Sequence, residues 1–316
     1  DMIKKYGADL VRLWVASSDY SVDVRCSDNI FRQLSETYRK IRNTARILLA
    51  NISDFDPDTD SVPVNELHDV DKWILSRLNE LTKVCLEGYN SYEFHVVYHA
   101  INNFCTNDLS KLYVDITKDR LYTDGKDSHA RRCGQTTMYT VVSALTRLLA
   151  PMLAHTAEEI WEAMPHSAAE NRESVLLNDM PRYDEKYEAG EIAAKYDHLF
   201  ALRDDVMKAL ELARADKMIG KSLDARVTVY TENDEHFAVL DSFAEQLPLI
   251  FITSQAKAVK AAAPAGAFTE TESGIAVVVE PAEGCKCDRC WTFVTNGTQL
   301  EDAYLCPRCK KVVLGE

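Results

Sequence analysis

"EGCKCDRCWTF" (residues 283–293) packs three cysteines into a C-x-C-x-x-C array and sets a tryptophan directly after the last of them. A second pair follows at Cys306-Pro307-Arg308-Cys309, so that Cys287-x2-Cys290 and Cys306-x2-Cys309 flank fifteen residues. Two C-x-x-C turns at this spacing each present two thiolates to one tetrahedral ion, and the loop between them is long enough to let them face each other. With all four positions filled by sulfur no place is left for water. The ion expected is therefore one structural zinc, not a catalytic one. Cys285 lies two residues before Cys287, at the expected exit of a strand, and the x2 register of the second pair leaves it out of the ligand set. The chain thus ends in a small metal-dependent ribbon.

Upstream of the ribbon, "ARVTVY", "LIFIT", "AKAVKA" and "GIAVVVE" are short runs rich in β-branched residues and read as strands, with a helix-like "DEHFAVLDSFAEQL" between the first two. They make a small α/β module whose last strand runs into the cysteines. Before it the period is helical. A long helix reaches to about Met218, preceded by a polar, loop-like stretch from about 166 to 188. Between about 66 and 165, apolar residues recur at steps of three and four in four segments: Leu67 to Leu81, Phe94 to Ile116, a helix through Leu145, Leu148 and Leu149, and one that Pro151 is expected to open. Four such helices imply an antiparallel bundle. Further upstream, Ile30, Phe31, Leu34, Tyr38, Ile41, Ala45, Leu48 and Ile52 mark another helix, with Asp28 as its expected cap. "SDFDPDTDSVPVNEL" (53–67), acidic and broken by two prolines, reads as a linker or long loop. The fold class is mainly α: an antiparallel helix bundle followed by a small α/β module and a terminal zinc ribbon. The parts expected are 1–58, a helical segment; 59–185, the bundle; 186–280, the α/β module; and 281–316, the ribbon.

Charge and cysteine use narrow the function. At a net charge of −14 over 316 residues, with 46% hydrophobic and 27% charged, the chain reads as an ordinary globular protein and not as a whole-surface nucleic-acid binder. No apolar run approaches the roughly 18 residues needed to span a bilayer. Cys26, Cys85, Cys105 and Cys133 are scattered through apolar helical patterns, as reduced core cysteines are. With the other five crowded into the last 32 residues, the pattern points to a reducing compartment and one metal site, not a disulfide framework. The opening Asp1-Met2-Ile3 reads as the middle of a longer chain.

Other patterns are weaker. His95-x3-His99 has the helical spacing of a metalloprotease pair but lacks the glutamate after the first histidine, and His155 has no partner histidine. All three are read as packed or surface residues. "DKMIGKSLDARV" (216–227) is one residue too long for a K-M-S-K-S loop. No Gly-rich phosphate loop is found, so no nucleotide site is expected here. On the helix from 30 to 52, Arg32, Arg39, Arg42 and Arg46 fall within an arc of about 80° at 100° per residue, opposite the apolar residues. Arg32 to Ala50 holds five basic residues against one acid, so the stripe reads either as a solvated face or as a phosphate-contacting one. Trp291, with Arg289 and Phe293, reads either as a stacking surface for an unpaired RNA base, mounted on a rigid knuckle, or as the cover of the ribbon's small core.

Several of these stretches together resemble bacterial isoleucyl-tRNA synthetases, over essentially the whole chain. "KKYGADLVRLWVASSDYSVDVRCSDNIFRQLSETYRKIRNTARILLANISDF" is similar to the segment following that family's K-M-S-K-S loop. "NDLSKLYVDITKDRLYTD" and "PMLAHTAEEIWEAMP" are similar to its anticodon-binding helices, and "CDRCWTF…CPRC" to its terminal zinc ribbon. The helical stretches are shared with valyl and leucyl relatives; C-x-R-C-W favours isoleucine. The resemblance implies a ribbon zinc held by Cys287, Cys290, Cys306 and Cys309, contact of Arg289 and Trp291 with the anticodon, and a place for Arg25 near the tRNA acceptor end. It implies a cytoplasmic, monomeric class I ligase of protein biosynthesis that joins isoleucine to tRNA(Ile) with ATP, the ATP being bound by a catalytic domain outside this chain, so that these residues alone should be inactive. DNA and membranes are not expected partners. The rival readings are a metalloenzyme using His95 and His99, and a zinc-stapled scaffold that binds protein.

Overall fold

The computed structural model describes residues 2–315, with Asp1 and Glu316 outside the described residues. It divides into two compact units, one of residues 1–115 and 129–189, the other of 116–128 and 190–316.

The first unit is helical. α1 (Met2–Tyr6) and α2 (Ala8–Ala16) lead into α3 (Asp28–Asn51). α4 (Asp69–Asn90) precedes α5 (Phe94–Asn103), which continues without a break into a π-helical stretch, Phe104–Val114. α6 (Asp115–Thr123) carries the chain into the second unit; α7 (His129–Leu149) and α8 (Ala154–Ala163) return to the first. The three-and-four spacing read from the sequence lies on the buried faces: Phe31, Ile41 and Leu48 from α3, Trp73 and Ile74 from α4, Val97 and Ile101 from α5, and Leu145, Leu148 and Leu149 from α7 are essentially inaccessible, as are Val141 of α7 and Trp161 of α8. Burial of this apolar surface is what holds the helices together.

Three local expectations are corrected here. Asp28 is not the cap of α3 but its first residue; Ser27 caps it, its hydroxyl accepting from the Ile30 amide, while Asp28 takes the Lys5 ammonium at 2.8 Å. Pro151 does not open α8. It sits in a turn closed on Leu149, and α8 begins at Ala154. The reason is remote in sequence: the carboxylate of Asp9 accepts from the amides of His155 and Thr156 and from the Thr156 hydroxyl at 2.6 Å, satisfying the free amides of the helix start in place of a local cap. Cys26 is exposed, whereas Cys85, Cys105 and Cys133 are buried; its segment lies between two helices and not within one.

The acidic stretch 53–67 is fastened along α7. Arg131 forks onto the Asp54 carboxylate with two bonds of 2.9 Å, Gln135 donates to Asp54 and to the Asn51 carbonyl, and Arg132 pairs with Asp60 at 3.0 Å. Phe55 and Leu67 bury their side chains at its two ends.

In the second unit, α9 (Gly190–Ala215) packs along a three-stranded sheet of β1 (Ala225–Thr231), β2 (Gln255–Lys260) and β3 (Ala276–Pro281). The strand order is β2-β1-β3, with β1 parallel to β2 and antiparallel to β3. The β1–β2 crossover holds α10 (Asp234–Ser242) and α11 (Leu247–Phe251). "LIFIT" is therefore a helix and not a strand. Pro248 suits a first helical turn, Ile250 and Phe251 are buried, and Ile252 in the left-handed region (φ 57°) ends it. A short apolar run has no period with which to tell the two apart. Buried Arg203 on α9 donates to the Ile250 carbonyl at 2.7 Å and ties this helix down.

The ribbon follows β3. It consists of two small hairpins, β4 (Cys285–Lys286) with β5 (Phe293–Val294) and β6 (Thr298–Leu300) with β7 (Ala303–Leu305), closed by α12 (Pro307–Leu314). Gly284, at φ 94°, passes so close to the Val294 carbonyl that no side chain fits there.

Candidate metal centre and nucleic-acid interface

Each C-x-x-C turn is built by its own backbone. The Trp291 amide donates to the Cys287 carbonyl at 2.8 Å and the Cys287 amide to Thr292, closing the first turn. Cys306 caps α12 and accepts from the Cys309 amide, which fixes the second. Asp288 joins the two turns: its amide donates to the Tyr304 carbonyl at 2.9 Å and its carboxylate accepts from the Tyr304 amide at 2.7 Å. The result places Cys287, Cys290, Cys306 and Cys309, all buried, with their sulfurs within 4.8 Å of one another. Cys285 is exposed and lies outside the group.

The donor set suits a metal ion. Four thiolates at about 2.3 Å from one tetrahedral zinc stand about 3.8 Å apart; Cys290 Sγ and Cys306 Sγ are 3.7 Å apart. Burial raises the Cys287 thiol, but the amides of Cys290, Cys306 and Arg289 outweigh it and bring it down to about 6. Burial pushes Cys309 up to about 12 against a hydrogen bond from Arg289. A cation among four converging sulfurs deprotonates the thiols that coordinate it and offsets the mutual repulsion of the thiolates. The group could hold one metal ion, and apart from the four cysteines the buried core of the ribbon is Leu305 alone, with Val294, Leu300 and Ala303 against it.

The RNA-facing candidates fall into two sets. Trp291 is 54% exposed and its backbone sits in the left-handed region at φ 67°. Two ammonium groups stand over the ring, Lys286 Nζ at 5.9 Å from its centroid and Lys221 Nζ at 5.2 Å. Arg289 is turned inward. Its guanidinium donates to the Thr123 carbonyl at the end of α6 and to Cys309 Sγ at 3.5 Å. Arg308 forks onto Asp119 of α6, so the ribbon is moored to that helix at two places. Phe293 is half-buried on β5, with its amide on the Ser254 hydroxyl at 2.7 Å.

In the other unit, Arg32, Arg39, Arg42 and Arg46 are all exposed along α3. Arg39 pairs with Glu36 at 2.6 Å and Arg42 with Glu159 at 3.3 Å, exposed pairs that a phosphate can displace at little cost. Arg25 is exposed, its carbonyl held by the Trp14 indole N–H at 3.1 Å. His95 is half-buried, while His99 and His155 are exposed; none belongs to a group of metal-ligating side chains among the described residues. Two features had no mark in the sequence reading. One is Lys221, seventy residues from the ring it covers. The other is a second group of potential ligands, His68, His129 and Cys133.

Among the described residues no helix is long and apolar enough to cross a membrane. The chain is 46% identical to the isoleucine–tRNA ligase of Caldanaerobacter subterraneus subsp. tengcongensis, over 98% of its own length and 33% of that protein. It is 48% identical to that of Geobacillus thermodenitrificans, over 99% of its length and 34% of that protein. The chain thus spans about a third of the curated relatives it matches. A solved ternary complex of Agrobacterium radiobacter K84 agnB2 LeuRS with tRNA and LeuAMS aligns with 59% of this chain and 21% of that one, at 15% identity and a TM-score of 0.42, too slight a likeness to bear on the fold. The family described as the anticodon-binding domain of tRNA ligase matches residues 71–229, and the chain belongs to that family.

Proposed function

We propose that this chain is the tRNA-binding part of a bacterial isoleucine–tRNA ligase, with one structural zinc in its ribbon and Trp291 as the aromatic on which an unpaired anticodon base stacks. The observation that carries the reading is the mounting of Trp291. A large aromatic, more than half exposed, follows a four-thiolate knuckle directly and lies beneath two ammonium groups. An indole held by a rigid turn loses little freedom when a base stacks on it, and the lysines meet the adjoining phosphates. Phe293 is a second apolar contact on the strand that follows. Arg289 sets the knuckle's orientation from Thr123 and Cys309 and reaches the RNA once those bonds exchange.

The four arginines of α3 contribute phosphate contacts, which position the RNA without reading it; Arg25 serves the acceptor end. The relatives named above favour isoleucine over the valyl and leucyl alternatives. The parent enzyme would form isoleucyl-adenylate from ATP and pass the isoleucine to tRNA(Ile), in the cytoplasm and as a monomer. In that reaction these residues orient the tRNA, and the adenylate chemistry belongs to residues outside them.

The test is Trp291→Ala with its metal content verified, measured against tRNA(Ile) with an intact and an altered anticodon. Loss of one base–aromatic stack should weaken binding of the intact tRNA by about 1–3 kcal/mol and reduce discrimination between the two. A metal-replete variant that discriminates as well as the parent chain would make Trp291 a covering residue of the ribbon.

A further inference from the structure

Away from the ribbon, in the first unit, three side chains that the proposed function does not use converge at the starts of two helices. His129 is the first residue of α7 and Cys133 lies one turn further along the same face. His68 occupies the N-cap position of α4, at the end of the fastened stretch 53–67. The ligand atoms of the three lie within 4.8 Å of one another. From these positions we propose that His68, His129 and Cys133 form a second transition-metal site, of mixed nitrogen and sulfur donors, with zinc as the ion it suits.

The geometry carries this in three steps. First, the donors are within reach: Cys133 Sγ stands 3.5 Å from His129 Nδ1 and 3.8 Å from its Nε2, so a turn of the exposed imidazole about its own axis aims one nitrogen at the ion while keeping the separation of about 3.6 Å that a tetrahedral zinc sets between nitrogen and sulfur. The two imidazole rings approach edge to face, 6.0 Å between centroids at 76°, so their nitrogens converge without the rings stacking. Second, the donor set is selective. Two imidazoles and a thiolate suit zinc, cobalt and copper and are poor ligands for magnesium or calcium. Third, access is of the right kind. Cys133 is fully buried at 0% exposure and forms the floor, while both histidines are exposed and form the rim. The thiol thus lies inside and the two imidazoles at the surface. Three protein ligands then leave a fourth position toward solvent, where water completes the shell; this is unlike the closed four-sulfur ribbon. On binding, the thiol proton leaves to solvent and the ion joins three points that the chain otherwise connects by weaker bonds: the start of α4, the start of α7, and the fastened stretch, whose Glu66 carbonyl lies 3.8 Å from Cys133 Sγ.

The proposal does not depend on tRNA binding and its test is independent of it. Untagged protein is titrated with cobalt(II), whose visible bands distinguish a four-sulfur site from one with two nitrogens, one sulfur and water, and zinc is then counted after removal of loosely held ion. The chain should take up two equivalents. Cys306→Ser should keep one, with the nitrogen–sulfur spectrum; His68→Ala, an exposed change that leaves the core intact, should also keep one, with the four-sulfur spectrum. Cys133→Ser should behave as His68→Ala does. One equivalent in the parent chain, lost entirely in Cys306→Ser and untouched by His68→Ala, would overturn the proposal.

Discussion

The helix bundle and the terminal ribbon solve the same problem by opposite means. The bundle buries whole rows of large side chains, including Trp73 and Trp161 with no appreciable exposure, and needs nothing from outside. Around its four cysteines the ribbon has one other fully buried side chain, Leu305, and three that are half-covered. A shell of that size cannot offset the ordering of some thirty residues, each costing on the order of 1–2 kcal/mol, unless an ion binds. The bundle is therefore expected to fold on its own, and the ribbon to fold only when loaded.

The largest effect that could break this contrast is removal of the ribbon ion. Structural zinc is worth on the order of 10–16 kcal/mol of apparent binding in small ribbons, so Cys306→Ser should release it and unfold residues 283–315. Most helical circular dichroism should survive, because α3, α4 and α7 do not draw on the ribbon for their core. Cooperative loss of the whole helical signal in this variant would mean that the two regions are one folding unit. The converse change is smaller. Leu148→Ala, at a fully buried position of α7, should cost about 2–5 kcal/mol of bundle stability and leave the four-sulfur metal content unchanged. Metal release in parallel with unfolding of the bundle would again remove the distinction.

The two regions also differ in how much of them is legible in the sequence. Both cysteine pairs are legible because a metal site of this kind is written locally, two residues per turn at fixed spacing. The bundle is legible because Val141, Leu145 and Leu148 repeat on one face. What stays hidden is what depends on residues far apart. Nothing near Pro151 says that Asp9, more than 140 residues earlier, supplies the amide acceptors for α8. "LIFIT" carries no period, and Pro248 is the one mark of a helix. Cys133 has the surroundings of a core thiol, and the second imidazole of its group, His68, lies 65 residues before it. The i, i+4 spacing of His129 and Cys133 is a usable local signal, but the same spacing joins His95 to His99, where no metal-ligating group forms among the described residues.

The interaction surfaces extend the comparison, since the bundle is proposed to hold phosphates and the ribbon to read bases. Reversing Arg39, Arg42 and Arg46 to glutamate should weaken binding of every tRNA alike. For every phosphate no longer neutralised, the salt slope should fall by roughly 0.7–0.9. If the slope is unchanged, the stripe is a solvated face; if the weakening depends on the anticodon, the division of labour between the two regions is wrong.

The smallest expected effect tests whether the fastening of 53–67 belongs to the bundle's stability. Hydrogen bonding and charge from Arg131, aided by Gln135, hold the Asp54 carboxyl down to about 2, against an ordinary 3.8. A depressed carboxyl stabilises the folded state wherever the unfolded chain is also ionised, above about pH 4, and that stability is lost as the pH falls toward 2. A full shift of this size would correspond to about 2.5 kcal/mol. Because the pair is partly open to solvent, with 29% of the Asp54 side chain exposed, about 1–2 kcal/mol is the reasonable expectation after screening. Asp54→Asn keeps the shape and one acceptor but removes the charge. Unfolding free energies from urea titrations of the two proteins should therefore differ by that amount at pH 6, and the difference should narrow steadily between pH 4 and pH 2.5. High salt should shrink it only modestly, since the fork is bidentate and partly covered. If the difference stays constant across that range, the contribution of Asp54 is geometric and not electrostatic. If no difference is seen at any pH, the fastened stretch lies on the bundle without supporting it.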